Sequence, residues 1–294
     1  MTSAAPFEYQ TASCWEEAVE LAGTWGDDGM VLAGGQSLVP MINLRLARPA
    51  ALIDINPIPA PEPCIDGGML IIPALTRHQQ LLRSSVVREN CPLLPAAVAH
   101  VGNVRVRARG TIGGSVSHAD PAGEIPCVIA ALDGQIVAQG PHGRRIIDAA
   151  DFFVTYLTTA LQEGELVTEV RLPVRGRRDG SAFGEKVRRA SDFAMVEVAA
   201  TVRLADDGRT VTRARAAVGG VTDRPFSLGA RMLAPLVGGT GTEEELGAVG
   251  AAAAGSVSPE SDVHASGAYR KRLTDVLTRR TLAAAIANAR SSWN

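Results

Sequence analysis

The chain has 294 residues, of which 29 are Lys or Arg and 31 are Asp or Glu, so its formal net charge is −2. That near-balance argues against a nucleic-acid-coating protein or a polybasic membrane-surface protein. Aromatic residues make up only 4% of the chain, so the core of a globular protein has to come mainly from Ala, Val, Leu and Ile. No apolar run approaches the roughly 18 residues of a membrane span, and the N-terminus lacks signal-peptide features. We therefore expect a cytoplasmic protein without a membrane span.

The cysteines indicate no metal or disulfide chemistry. Cys14, Cys64, Cys91 and Cys127 form no CxxC pair, which argues against an iron–sulfur cluster or a zinc site in this chain. A disulfide framework is not expected in a large chain without a secretion signal. We predict that all four cysteines are small buried side chains.

The first block, residues 1 to about 60, mixes helical and strand patterns. A capping box formed by Ser13 and Glu16 predicts a helix that ends at Gly26. Buried strands are predicted at residues 30–33 and 51–55, with a short helix at 38–46 between them.

The second block, residues 61 to about 176, is also mixed. Turn signals at residues 66–68 and 140–143 predict two hairpins. Residues 95–101 and 124–132 have the pattern of helices, and 166–172 has that of a closing strand. Arg105, Arg107 and Arg109 alternate with apolar residues, which is typical of a strand.

A polar, glycine-rich linker at residues 175–180 leads into the third block, about residues 181–294. Strands are predicted at residues 183–189, 194–204 and 210–218. Helices are predicted at about 226–236, 242–254 and 267–290. The three blocks together predict a mixed helix-and-sheet fold.

Two glycine loops carry the functional signal. Residues 33–38 read Ala-Gly-Gly-Gln-Ser-Leu, and residues 111–115 read Thr-Ile-Gly-Gly-Ser. Paired glycines accept positive φ and allow main-chain N–H groups to converge on an anion without a lysine. Two such loops suit a diphosphate, although each pair of glycines is also compatible with a simple tight turn. The chain has neither the P-loop pattern GxxxxGK[ST] nor a GxGxxG motif after its first strand.

These two loops, with Val39-Pro40 after the first and His118-Ala119-Asp120-Pro121 after the second, resemble the FAD-binding medium subunit of molybdenum hydroxylases. That family includes carbon monoxide, N-heterocycle and xanthine dehydrogenases. The resemblance covers nearly the whole chain and includes residues 6–9, 186–194, 218–221 and 266–270. It implies an α+β fold. Residues 1–176 would form a p-cresol-methylhydroxylase-type FAD-binding domain of two α+β subdomains, about 1–60 and 61–176. Residues 177–294 would form a C-terminal domain with a three-stranded sheet and a helical bundle.

The resemblance also implies roles for single residues. Both loops would hold the FAD diphosphate through backbone amides. Glu124 would accept hydrogen bonds from ribose or ribityl hydroxyls, or else simply favour a helix N-terminus. Val101 and Val167 would pack on the flavin or belong to the core, and Lys186 would stabilise the anionic reduced flavin or remain a solvated lysine. The full expected set is Leu32, Ala33, Gly34, Gly35, Gln36, Ser37, Leu38, Val101, Thr111, Ile112, Gly113, Gly114, Ser115, Glu124, Val167 and Lys186.

Three further residues have alternative roles. Asp192 would either neutralise Arg188 or Arg189 or lie near the flavin. For His118 and Asp120, a structural turn with Asp120 bonded to nearby backbone is favoured over acid–base chemistry. No catalytic residue and no metal ligand are expected in this chain.

The function that the resemblance implies is electron transfer by FAD. A large partner subunit would carry the molybdopterin cofactor, and a small one two [2Fe–2S] clusters that feed this FAD. An external acceptor would then take the electrons, and the complex would be a dimer of heterotrimers. Carbon monoxide dehydrogenases tend to have His at position 36 and Asn at position 115, so Gln36 and Ser115 favour an N-heterocycle or related organic substrate. The alternatives are a carbon monoxide dehydrogenase medium subunit, a self-sufficient FAD oxidase or reductase, and an assembly module that has lost its flavin.

Overall fold

The computed structural model describes residues 5–291. The N-terminal part of the chain forms a three-stranded parallel sheet. The sheet has the strand order β1-β3-β2, so β3 lies in the middle. Helix α1 buries Ala18 and Val19 against Ile53 of β3. The elements are β1 (Glu8–Thr11), α1 (Trp15–Trp25), β2 (Gly29–Leu32), α2 (Leu38–Asn43) and β3 (Ala51–Asp54).

The next part of the chain forms a five-stranded antiparallel sheet with the order β4-β5-β10-β6-β7. The apolar side chains of its strands, such as Leu70, Ile72, Val170 and Leu172, are fully buried in the largest core cluster. Its elements are β4 (Cys64–Asp66), β5 (Met69–Pro73), α3 (His78–Arg83), α4 (Ser85–Asn90), α5 (Leu93–Val98), α6 (Val104–Arg109), α7 (Ile112–His118), α8 (Glu124–Ala131), β6 (Gln135–Gly140), β7 (Gly143–Asp148), α9 (Ala149–Phe152), β8 (Phe153–Thr155), β9 (Thr158–Thr159) and β10 (Leu166–Pro173).

The last part of the chain is an antiparallel sheet of order β11-β12-β13-β14, followed by helices. A two-residue strand, β14, joins the three strands that the sequence predicted. The elements are β11 (Asp179–Lys186), β12 (Val196–Leu204), β13 (Val211–Gly219), β14 (Phe226–Ser227), α10 (Ala230–Leu233), α11 (Glu243–Gly255) and α12 (Gly267–Ser291). Among residues 5–291, no helix combines the length and the apolar character needed to cross a bilayer.

Both faces of β12 are buried, and this joins the C-terminal sheet to the rest of the molecule. Val198 and Val202 face Leu282 and the other apolar residues of α12. Ala199 belongs instead to the core of the five-stranded sheet. There α8 packs on β12 and β13, and its Cys127 thiol donates a hydrogen bond of 3.4 Å to a β13 carbonyl. Small residues on this strand face allow the helix to approach closely.

The alternating arginine segment was predicted wrongly as a strand, because residues 104–109 form helix α6. Asn103 caps this helix, and its Oδ1 accepts hydrogen bonds from the amides of Arg105 and Val106 at 2.9 and 3.3 Å. Six residues are too few for a period of two to exclude a helix. The side-chain cap therefore decides the local structure.

Two smaller predictions about helix ends also need correction. The backbone N–H and hydroxyl of Ser13 both donate to Glu17, at 2.7 and 2.8 Å, rather than to the predicted Glu16. The helix predicted over residues 226–236 is only the four-residue α10. Its first residues form the short strand β14 instead.

The prediction for the cysteines holds for only two of them. Cys91 and Cys127 are buried, whereas Cys14 and Cys64 are exposed. Cys14 is exposed because it precedes the first turn of α1, and Cys64 because it lies on the edge strand β4. Among residues 5–291, no cluster of His, Cys, Asp and Glu has the arrangement of a metal site.

Gly180 of β11 lies directly under α12, and a Cβ atom there would overlap the backbone of Ala285 and Ala289. We expect Gly180→Ala to lower the free energy of unfolding by about 1–3 kcal/mol, since overpacking against backbone cannot relax by a rotamer change. Urea unfolding measures this. Gly247→Ala in α11 is the control, because its Cβ would meet no atom within 4 Å. Equal stability of the two variants would contradict the packing argument.

Candidate functional site

A cavity of about 650 Å³ opens between the parallel sheet, the helices of the five-stranded sheet and the segment after β11. Small-molecule sites span roughly 300–1,000 Å³, so the cavity can hold a ligand of cofactor size. The residues that line it are Ile55, Ala74, Leu75 and His78, together with residues within 30–41, 101–106, 110–118, 120–126, 161–167 and 191–193. Both glycine loops are among them.

The two glycine loops touch each other at Gly34. A Cβ atom on this residue would lie 2.5 Å from the carbonyl oxygen of Arg109 and 2.8 Å from the Cα of Gly110. Both distances are shorter than any van der Waals contact of carbon with these atoms. Glycine is therefore required at position 34 for the first loop to lie against the residues that lead into the second.

The first loop presents free main-chain donors. Gly35 adopts a φ of 71°, which glycine accepts without strain. The N–H groups of residues 34–38 have no acceptor among the hydrogen bonds of residues 5–291. The carbonyls of Gly34 and Gly35 are occupied, by the Gln36 side chain at 3.0 Å and by the Val39 amide at 3.0 Å. Such an array of N–H groups forms an anion-binding nest.

The second loop does not present a row of free N–H groups. The prediction that both loops bind a diphosphate through their backbone amides is therefore corrected for the second loop. The N–H of Gly113 donates to Ala74 at 2.8 Å, that of Gly114 to the Thr111 hydroxyl at 3.1 Å, and that of Ser115 to the Thr111 carbonyl at 3.1 Å. Gly113 serves packing, because a Cβ there would lie 2.5 Å from the Cβ of Ala74. The second loop therefore forms a wall of the cavity and presents the Ser115 side chain to it.

A buried histidine holds the Ser115 hydroxyl. The Nε2 atom of His78 lies 3.1 Å from Ser115 Oγ, and the His78 amide donates to the Gly110 carbonyl at 2.9 Å. Burial lowers the pKa of His78 to about 4, and the charges of Arg107 and Arg77 act in the same direction. The imidazole is therefore neutral near pH 7, so it can serve Ser115 without placing a charge in the cavity wall.

Two side chains behind the loops connect them. Asn56 Nδ2 donates to the Ala33 carbonyl at 2.8 Å, and Asn56 Oδ1 accepts from Arg77 at 2.5 Å. The same guanidinium donates to the Arg109 carbonyl at 2.5 Å. Because β2 and β3 are parallel and in register, their carboxyl ends lie together, and this brings Asn56 to the first loop. Sequence reasoning missed this bridge.

The charged groups that line the cavity are acidic. They are Asp120, Glu124, Glu165 and Asp192, and none of the described lining residues is Lys or Arg. Burial raises the pKa of Glu124 to about 7, and Glu185 and Asp120 add to this rise. Asp120 Oδ1 accepts a hydrogen bond from the Ala122 amide at 2.9 Å, which confirms its predicted role in the turn. An anion in this cavity is therefore held by dipoles rather than by cations.

The structure brings most of the predicted residues to the cavity. Those that line it are Ala33, Gly34, Gly35, Gln36, Ser37, Leu38, Val101, Thr111, Gly113, Gly114, Ser115, Glu124 and Val167. Asp192 is there as well, which agrees with the second of its two expected positions. Sequence reasoning missed the lining residues His78, Ser117 and Phe193.

Leu32, Ile112 and Lys186 are not among the residues that line the cavity. Leu32 ends β2, and its side chain lies behind Gly35. Ile112 is fully buried in the core of the five-stranded sheet. Lys186 is an exposed residue at the end of β11, and it pairs with Val196 while its neighbour Glu185 points to the opposite face. Strand alternation thus directs the lysine away from the cavity.

Comparison with protein families matches nearly the whole chain. The FAD binding domain in molybdopterin dehydrogenase matches residues 5–175, and the CO dehydrogenase flavoprotein C-terminal domain matches residues 181–285. Solved structures agree. Carbon monoxide dehydrogenase from Hydrogenophaga pseudoflava, in a form that lacks the Mo-pyranopterin moiety, has a TM-score of 0.94 and 34% identity over 98% of this chain and 99% of that one. Quinoline 2-oxidoreductase from Pseudomonas putida 86 has a TM-score of 0.92 and 29% identity over 100% of both chains.

Curated relatives cover the chain to a similar extent. The 6-hydroxypseudooxynicotine dehydrogenase complex subunit alpha of Paenarthrobacter nicotinovorans is 37% identical over 97% of this chain and 96% of its own. The nicotine 6-hydroxylase medium subunit of the same organism is 35% identical over 93% and 95%. The carbon monoxide dehydrogenase medium chain of Hydrogenophaga pseudoflava is 35% identical over 95% and 96%. The chain therefore belongs to the FAD-binding medium subunits of the molybdenum hydroxylases, a family of multi-subunit oxidoreductases.

Proposed function

We propose that this chain holds FAD in the cavity and uses it to pass electrons from [2Fe–2S] clusters of a small partner subunit to an external acceptor. The observation that carries the proposal is the row of free N–H groups in residues 34–38, placed against the second glycine loop at a cavity of cofactor size. Bound FAD supplies the redox chemistry, since a flavin accepts and releases electrons.

The cavity residues match the chemical groups of FAD. The amides of the first loop suit the diphosphate, and the hydroxyls of Ser37 and Ser115 add donors beside them. Glu124 presents a carboxyl group that can accept hydrogen bonds from sugar or ribityl hydroxyls. Val101 and Val167 offer apolar surface to the ring system. We assign no proton-transfer or substrate-binding step of the hydroxylation to this chain.

The proposed partners are a large subunit with the molybdopterin cofactor and a small subunit with two [2Fe–2S] clusters, in a dimer of heterotrimers. The names of the relatives support a complex, since they are subunits called alpha or medium. We also propose a cytoplasmic location. The proposed domain boundary at residues 176–177 lies between the end of β10 at Pro173 and the start of β11 at Asp179.

For the substrate of the complex we propose an N-heterocycle or a related organic compound, on the basis of Gln36 and Ser115. In the structure both side chains bond within the cofactor cavity wall, Gln36 to Gly34 and Ser115 to His78. The substrate itself would bind at the molybdenum of the large subunit, so Gln36 and Ser115 support a substrate class only through the resemblance of this chain to N-heterocycle dehydrogenase subunits. A nicotine 6-hydroxylase medium subunit is 35% identical to this chain, and so is a carbon monoxide dehydrogenase medium chain.

Reconstitution of the purified full chain with FAD tests the proposal. We expect stoichiometric binding, a flavin absorbance spectrum and no reduction of the flavin by nicotine or carbon monoxide in the absence of partner subunits. A folded chain that takes up no FAD would overturn the proposal. Bleaching of the flavin by an organic substrate alone would instead establish a self-sufficient oxidase.

The contact at Gly34 gives a second prediction. Gly34→Ala places a methyl group against Arg109 and Gly110, so the first loop has to move away from the second. We expect the Kd for FAD to rise by at least tenfold, about 1.4 kcal/mol, as measured by quenching of flavin fluorescence. Gly23→Ala in α1, whose Cβ would meet nothing within 4 Å, should leave the Kd unchanged. Unaltered FAD affinity in Gly34→Ala would refute the proposed packing of the loops.

The bridge behind the loops gives a third prediction. Asn56→Asp keeps the acceptor for Arg77 but turns a carboxylate oxygen toward the Ala33 carbonyl. We expect FAD affinity to fall about tenfold while the chain stays folded, because the hydrogen bonds of Asn56 Nδ2 to the Ala33 carbonyl and to the Asp54 carboxylate are replaced by repulsion between acceptors. Asn90→Asp is the matched control, since Asn90 Nδ2 also donates to a carbonyl, that of Val86, but far from the loops. Equal losses of affinity in both variants would show that the bridge has no specific role.

A further inference from the structure

Glu197 is a buried carboxyl group that electron transfer by FAD does not require. It lies in β12, it has no exposed surface, and neither side-chain oxygen has a hydrogen-bond partner among the described residues. The strand provides room for it, since a Cβ on the opposite residue Gly219 would overlap the carboxyl group. Burial raises the pKa of Glu197 well above its usual range, which favours the protonated form of the carboxyl group.

On one side Glu197 is connected to the protein surface. Glu185 lies directly opposite it on β11, so both side chains are on the same face of the sheet. Glu185 Oε1 lies 2.9 Å from Nδ1 of His100, while its Oε2 atom is buried without a partner. The side chain of His100 is 44% exposed. Solvent protons can therefore reach Glu185 by way of His100.

On the other side Glu197 faces helix α8, which reaches the cavity. Helix α8 covers this face, and its first residue, Glu124, lines the cavity. After burial, the charge of Glu124 is the largest cause of the raised pKa of Glu197, followed by Glu185 and Asp120. Cys127 is the remaining titratable neighbour, and burial keeps it a neutral thiol. Among the described residues, no ion pair supplies Glu197 with a cation.

We propose that Glu124, Glu185 and Glu197 form a proton store that takes up protons from solvent when negative charge enters the cavity. This rests on the proposed function, because the charge is that of the FAD diphosphate on binding and of the electrons on reduction. In each event a carboxylate oxygen forms an O–H bond with a proton that enters by way of the exposed His100 end. The proton comes from hydronium or a buffer acid, whose own bond to that proton breaks. The added positive charge offsets part of the added negative charge.

Calorimetric titration of FAD into the cofactor-free full chain tests the proton store. Runs in buffers of different ionisation enthalpy give the number of protons taken up, from neutral pH to about pH 9. We expect net uptake in the wild type over this whole range, and FAD affinity should fall with pH by up to about tenfold per unit for each proton. In Glu197→Gln, which keeps the shape but cannot ionise, proton uptake should be smaller than in the wild type, and the difference between the two proteins should widen as the pH rises.

Glu165→Gln is the matched control. Glu165 also lines the cavity, but Arg145 lies 2.7 Å away and lowers its pKa, so it is already ionised and its removal should leave the proton uptake unchanged. FAD binding without proton uptake, or identical profiles for the wild type and Glu197→Gln, would overturn the proton store alone. Absence of any FAD binding would overturn the proposed function with it.

Stability of the cofactor-free chain gives a readout that does not involve FAD. A carboxyl group whose pKa is raised by folding stabilises the protein at low pH, and this stabilisation is lost as the pH rises through the folded value. We therefore expect the free energy of unfolding of the wild type in urea to fall as the pH rises above the ordinary carboxyl range, and that of Glu197→Gln to fall much less. Parallel pH profiles of the two proteins would show that Glu197 does not hold the proton.

Discussion

The contact between the backbone of Gly34 and that of Arg109 and Gly110 is the constraint on which the cavity depends. It joins two parts of the chain that belong to different sheets, and it fixes where the free amides of the first loop point. The contact requires both the first glycine loop and the residues that lead into the second. Asn56 and Arg77 hold the carbonyls of Ala33 and Arg109 from behind, so the amide sides of the first loop stay turned to the cavity. Contacts within the protein therefore orient the loop, and such preorganisation reduces the entropy that binding has to overcome.

The two glycine loops have similar sequences but different roles in the cavity. In the first loop the glycines expose N–H groups, whereas in the second the N–H groups are consumed by Ala74 and Thr111. This matters because the described lining holds carboxyl groups and no Lys or Arg. A dianionic diphosphate in such surroundings depends on oriented dipoles, and repulsion by the carboxylates is relieved only if some of them carry protons. The raised pKa of Glu124, about 7, is therefore part of how the cavity can accept an anion.

The sequence predicted those structural elements that interactions between residues close in the chain determine. The hairpin at residues 140–143 and the strands of the C-terminal sheet were predicted correctly, because turn residues and alternation act over a few positions. The glycine pairs likewise identified the cavity. The Asn56–Arg77 bridge was missed, since Asn56 follows β3 and Arg77 follows β5, so it joins residues 21 positions apart that no local pattern brings together. Helix α6 was predicted wrongly because one capping side chain outweighs an alternation of six residues. Lys186 lies outside the cavity lining for a similar reason, because the pairing of β11 with β12 decides its face.

Glu197 connects the C-terminal sheet to the chemistry of the cavity, although among the described residues only the segment 191–193 between β11 and β12 lines the cavity from this part of the chain. Elsewhere on this face of the sheet, small apolar residues such as Ala199 and Ala217 let α8 pack closely. A buried carboxyl group without a partner contributes nothing to that packing, and replacing buried ionic groups by apolar ones of similar volume is often neutral or stabilising. Its position between the exposed His100–Glu185 pair and Glu124 supplies a different reason for its presence. The sheet then does more than cover α8, because it connects the charge in the cofactor cavity to the protons of the solvent.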